Sequence, residues 1–165
     1  MKIKVCIVLA HYYKDIAADL EKGAKLVLDK YKKFENPVWK NVNNGPFFNT
    51  LKEGSHELEY KQRFVPGVFE IPSMIAINIE DFDAFIALGC VIKGETPHFD
   101  FISKAAINGI MNLSINHKKP IMNGIITCLN KEQAKERADS NKKDKGGEAA
   151  RAVLSVLGIL KNESK

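Results

Sequence analysis

The run Gly94-Glu95-Thr96-Pro97-His98 brings together the residue types best suited to chemistry in this chain. Gly94 relaxes the backbone after an apolar run, Thr96 is a good N-cap, and Pro97 suits the first position of a helix. A helix starting there presents unpaired N–H groups and the positive end of its dipole, which together cradle a phosphate. His98 then falls in the first turn, where an imidazole can exchange protons with whatever the helix start holds. Tyr12 and Phe69 also stand at the ends of apolar runs, where a planar ring can be stacked or flanked. Phe69 reads equally as core packing, and Glu70 beside it as a surface carboxylate. Arg137, alone an exposed helix arginine, completes a phosphate clamp if it lies near Thr96. Gly146-Gly147 is too weak a pattern for a phosphate loop. His11, His56 and His117 have no comparable context.

These residues need a frame that gathers them, and the chain alternates strand and helix patterns. Lys4 to Ala10 is a nearly unbroken apolar run, as in a strand covered on both faces. Ile16, Leu20, Ala24, Val27 and Tyr31 follow at helical spacing. A strand is expected within Glu57 to Val65, a short helix over Pro72 to Ile79, and a clean buried strand over Ala84 to Ile92. A long helix from Pro97 to about Asn116, a last strand over Pro120 to Thr127, and helices over Lys131 to Ala138 and Gly147 to Leu160 complete the pattern. Four strands separated by helices imply right-handed crossovers. The expected fold is therefore a three-layer α/β domain of flavodoxin-like kind, with a four-stranded parallel sheet flanked by helices. In such a sheet ligands bind beyond the carboxyl ends of the strands, which places Tyr12, Phe69, Glu70 and His98 on one edge. Phe34 to His56 breaks the rhythm: it holds Pro37, Pro46 and Trp39 without a clear period, and reads as a long loop or insertion.

Composition narrows the classes. At 165 residues the chain suits one well-buried core. No apolar run approaches the ~20 residues needed to cross a bilayer. The apolar start is short, and His11-Tyr12-Tyr13-Lys14-Asp15 stands where a signal-peptide cleavage site would belong, so a buried first strand and a cytoplasmic location are expected. Three cysteines, an odd number, argue against a disulfide framework. Cys6, Cys90 and Cys128 each sit in a strand-like run, and none pairs at metal-ligand or redox-motif spacing, so buried reduced thiols are expected. The net charge of +5 is spread along the chain and favours a small phosphorylated substrate over nucleic acid.

Three long stretches, taken together, resemble the 6,7-dimethyl-8-ribityllumazine synthase family. They are Val65-Pro66-Gly67-Val68-Phe69-Glu70-Ile71-Pro72, the run from Ala87 to Asp100, and Gly124-Ile125-Ile126-Thr127 with Glu132 to Ala138. The resemblance implies a riboflavin-biosynthesis transferase that condenses 5-amino-6-ribitylaminouracil with 3,4-dihydroxy-2-butanone 4-phosphate and releases phosphate and water. It implies no metal or organic cofactor. By position, His98 resembles the family's proton-transfer histidine, while Gly94, Glu95, Thr96 and Arg137 match its phosphate-binding positions. Val68, Phe69, Glu70, Cys90, Val91 and Ile92 match the segments that hold the pyrimidine and its ribityl chain. Tyr12 matches the ring that stacks on the pyrimidine.

Some positions depart from the family pattern. Asn123 stands where many members carry Phe, which makes part of the pyrimidine pocket more polar. Asn141-Lys142-Lys143-Asp144 differs from the glycine-containing version associated with icosahedral shells. The Phe34–His56 connection is roughly twenty residues longer than usual and is expected at the edge opposite the site. The chain begins directly at its first strand, without the leading arm that some members pair with a neighbour's sheet. The family assembles as pentamers with sites shared between subunits. These departures favour a homo-oligomeric pentamer or decamer over a sixty-subunit shell, with riboflavin synthase as the protein partner the resemblance suggests.

Overall fold

The computed structural model describes residues 2–36 and 54–158. Lys2–Ala10 forms β1, and every residue from Val5 to Ala10 is buried, as a strand covered on both faces must be. Lys14–Lys30 forms α1, which buries Ile16, Leu20, Ala24 and Val27 along one face. Lys33–Asn36 is β2 and Gly54–Val65 is β3. A single 3₁₀ turn, Val68–Glu70, leads into α2, Ile71–Ile77. Then come β4 (Ala84–Ile92), α3 (His98–His117), β5 (Ile121–Cys128), α4 (Lys131–Ala138) and α5 (Lys145–Val156).

The strands lie in the order β2-β3-β1-β4-β5. β1 pairs in parallel with both β3 and β4, and β4 pairs in parallel with β5. Ile3, Val5, Ile7 and Leu9 face one core, shared with α1, α4 and α5. Cys6, Val8 and Ala10 face the other, shared with α2 and α3. Helices thus cover both faces of four parallel strands, the three-layer flavodoxin-like arrangement that the alternating pattern predicts. The sheet has one more member than expected. β2 pairs antiparallel with the start of β3, Phe34 with His56 and Asn36 with Gly54, so both ends of the stretch read as a loop are strand. An edge strand of four residues is too short for a periodic signal. Residues 37–53, with Trp39, Pro37 and Pro46, lie outside the described residues.

Chain order sets the position of a crevice. From β1 the chain leaves through α1 toward β3, and from β4 it leaves through α3 toward β5, on the opposite face. The two connections diverge between neighbouring strands, and a doubly wound sheet opens at such a point. Gly89 deepens the crevice wall. A Cβ there would come 2.7 Å from Val68 Cγ2 and 3.1 Å from Ala10 Cβ, so only glycine lets the Val68 turn seat against β4.

Helix ends differ from expectation in two informative places. Thr96 does not cap α3: Pro97 occupies the cap position, no side chain caps the helix, and His98 is its first residue. The proline ring fixes φ at −71°, but ψ is 4°, so the helical repeat begins one residue later. α5 begins at Lys145 instead of Gly147, because Asp144 serves as its cap and accepts from the Gly147 N–H at 3.1 Å. The glycine pair that looked like a weak phosphate signal has a packing task. A Cβ at Gly146 would stand 1.9 Å from the Leu20 carbonyl oxygen in the middle of α1. Gly146→Ala must therefore force α1 and α5 apart. Overpacking of this kind costs about 1–3 kcal/mol, which urea unfolding of the variant will read as a lower midpoint with an unchanged slope.

Candidate active site

A cleft of ≈ 550 Å³ opens at the divergence point. Its floor is the end of β4, Cys90 to Ile92, and one side is the turn Pro66 to Glu70 after β3. Tyr12 and Tyr13, following β1, form a second side, and Gly94, Thr96, His98 and Phe99 form the mouth. The backbone fixes these segments closely. His11 N–H donates to Val65 O at 3.0 Å, tying the β1 exit to the β3 exit. Lys93 N–H donates to Cys128 O at 2.9 Å, which tethers the Gly94 segment to the end of β5.

Several predicted residues meet here. Val68 is buried and anchors its turn, leaving Phe69 57% exposed beside the cleft, so the ring is a wall of the site and not core. Glu70 is more than a surface carboxylate: its Oε2 accepts from the Gly67 N–H at 2.9 Å and closes the turn on itself. Tyr12 is 73% exposed, with a face free for a flat ring. His98 stands at the cleft as the first residue of a helix whose start no side chain caps. The N–H groups there remain available to an anion.

Three predicted residues do not line this cleft: Glu95, Asn123 and Arg137. Asn123 lies on β5 beside a smaller hollow with Lys145 and Glu148, where its Oδ1 accepts from the Ile125 N–H at 2.9 Å. Arg137 is half-buried on α4 and its charge acts on the Cys128 thiol. Among the described residues, then, no guanidinium lines the cleft beside Thr96. Conversely, sequence reasoning gave no role to Tyr13, Pro66, Gly67, Phe99 and Ile102, which do line the cleft. Pro66 and Gly67 already stood at a strand end, so their position was a usable signal. Ile102 carried only a helical period, which marks a buried face and not a cleft, and Phe99 stood within the Ala87 to Asp100 run with no role of its own.

The three cysteines are free and buried, as expected. Burial pushes the thiols of Cys6 and Cys90 up to about 12 and raises that of Cys128, against which Arg137 acts. Cys90 therefore meets the cleft as a neutral, weakly polar wall and not as a nucleophile. Among the described residues, no His, Cys, Asp and Glu side chains gather in a group of three or more that could hold a metal ion. Also among them, no helix is long and apolar enough to cross a membrane.

The pattern of the 6,7-dimethyl-8-ribityllumazine synthase family matches residues 32–161. The chain belongs to that family. Relatives of the same name match most of its length. The Agrobacterium fabrum protein is 35% identical over 97% of this chain and 96% of its own. The Bartonella tribocorum protein is 36% identical over 97% and 91%. A Novosphingobium aromaticivorans protein is 47% identical over 66% of this chain and 78% of its own. Membership makes the chain a lumazine synthase-family transferase of riboflavin biosynthesis.

Proposed function

We propose that this cleft is where the chain condenses 5-amino-6-ribitylaminouracil with 3,4-dihydroxy-2-butanone 4-phosphate to give 6,7-dimethyl-8-ribityllumazine, phosphate and water. The observation that carries this reading is the meeting of an exposed ring, an uncapped helix start and an imidazole in one crevice. The pyrimidine stacks on Tyr12 and lies against Phe69, with its ribityl chain along Val68, Glu70, Cys90, Val91 and Ile92. The phosphate sits at Gly94, Glu95 and Thr96, at the positive end of α3. Imine formation, loss of phosphate and ring closure each move protons, and His98 is the group placed to carry them.

Arg137 and Asn123 act on a neighbour's cleft in this reading, which makes a homo-oligomer part of the site. Exposed apolar side chains support assembly: Phe101, Met111 and Ile115 form a stripe on the outer face of α3. A pentamer or decamer is the assembly, with the whole chain one domain and the Phe34–His56 stretch an insertion. The ends of β2 and β3 that flank this stretch lie at the edge away from the cleft, so it serves assembly or surface before chemistry. The cytoplasm is the location, and riboflavin synthase the enzyme that receives the product.

Mixing the purified protein with both substrates tests the reading. Lumazine absorbance should rise in step with released phosphate, and light scattering on the same sample should give five or ten chain masses. Tight binding of lumazine without turnover would instead make the chain a product-binding relative.

A further inference from the structure

Helix α1 begins where its sequence is least suited to begin. Its cap position is Tyr13, in extended geometry (φ −103°, ψ 92°), and the side chain makes no capping hydrogen bond. Serine, threonine, aspartate and asparagine serve that position because a short side chain can accept from the free N–H groups of the first turn. A tyrosine there gives up that bond, and local rules broken in this way concentrate at functional sites. The ring goes to the cleft instead. It is half-buried against the core that α1 shares with the sheet, and it lines the crevice beside Cys90. Its backbone is held by the first turn of α1, with Ala17 N–H donating to Tyr13 O at 2.8 Å. Burial raises its phenol above the ordinary range, with Tyr12 and Cys90 adding to the effect and Lys131 opposing it.

What the ring touches is Tyr12. The two centroids lie 4.9 Å apart at an interplanar angle of 76°, an edge-to-face pair. Tyr12 is 73% exposed, and an exposed ring rotates about two side-chain bonds unless something holds it. A heterocycle stacks more tightly on a ring whose plane is already set, since freezing that ring on binding weakens association. We infer that Tyr13 is a positioning residue, which fixes the plane of Tyr12 edge-on and so sets the stacking platform for the pyrimidine substrate. The inference rests on the reading of Tyr12 as that platform. It assigns Tyr13 no contact with the butanone phosphate, which binds at the α3 start.

The two KM values separate this role from a merely structural one. In Tyr13→Ser, which supplies a cap to α1 but no ring, KM for the ribitylaminouracil should rise by about three- to tenfold. KM for the butanone phosphate and kcat at saturation should stay within about twofold of the parent. Tyr13→Phe keeps the edge-to-face ring and should restore the pyrimidine KM. A Tyr13→Ser enzyme with an unchanged pyrimidine KM overturns the inference, as does one in which both KM values rise together. Neither result touches the reaction itself, which fails only if the parent protein makes no lumazine.

Discussion

His98→Ala should lower kcat for lumazine formation by about 10²–10⁴-fold and leave both KM values within a few-fold, the size expected when a proton carrier is removed from an otherwise intact site. The structure makes this variant unusually clean to interpret. His98 is exposed at the first position of α3, so alanine there should leave the fold undisturbed and suits a helix. The proposed phosphate cradle would be backbone, from Gly94 to the first turn, and so would survive the change. Steady-state rates at saturating concentrations of both substrates check it. Full-rate catalysis by the variant would falsify the assigned role, because among the described residues that line the cleft His98 is the one imidazole; His11 instead lies tilted against Phe64, with centroids 4.5 Å apart.

How legible this was from sequence depends on the range of the physics. β1 and β4 were plain because strands buried on both faces are apolar without interruption, and α1 was plain because its face repeats at helical spacing. The Gly94–His98 segment was legible because glycine, proline and histidine each carry a local meaning. Thr96 was misplaced by one residue because capping depends on a single ψ angle that no residue type fixes. β2 was missed because its partner, the start of β3, lies beyond a long intervening stretch, and only pairing makes four such residues a strand. The glycines at 89 and 146 are tertiary: their meaning appears only when Val68 and the Leu20 carbonyl are seen against them. Tyr13 was hidden for a related reason. Strict alternation after β1 sends it away from Tyr12, whereas the turn into α1 brings both rings to the cleft. Arg137 was legible as a residue but not as a position, because a single chain does not carry it to the cleft.

That separation gives the second large effect. Arg137→Ala should raise KM for the butanone phosphate by about ten- to a hundredfold, the range for losing a charge-assisted hydrogen bond, while kcat changes far less. Arg137 is not among the residues assigned to the pyrimidine or the ribityl chain, so KM for the ribitylaminouracil should stay near the parent value. The decisive version mixes two defective chains. If His98 of one chain and Arg137 of its neighbour serve the same site, co-expressed His98→Ala and Arg137→Ala chains will assemble hybrid rings. An intact site then forms wherever an Arg137→Ala chain supplies His98 beside a His98→Ala chain that supplies Arg137. With random mixing in a ring of head-to-tail contacts this holds for roughly a quarter of the sites. The hybrid should regain about that fraction of parental activity at low butanone phosphate concentration, where each variant alone is nearly silent. If both residues served a cleft within one chain, every site would stay defective and mixing would restore nothing. Recovery would thus read out the geometry directly: it would make Arg137, whose charge acts on Cys128 within its own chain, the clamp of the neighbour's site.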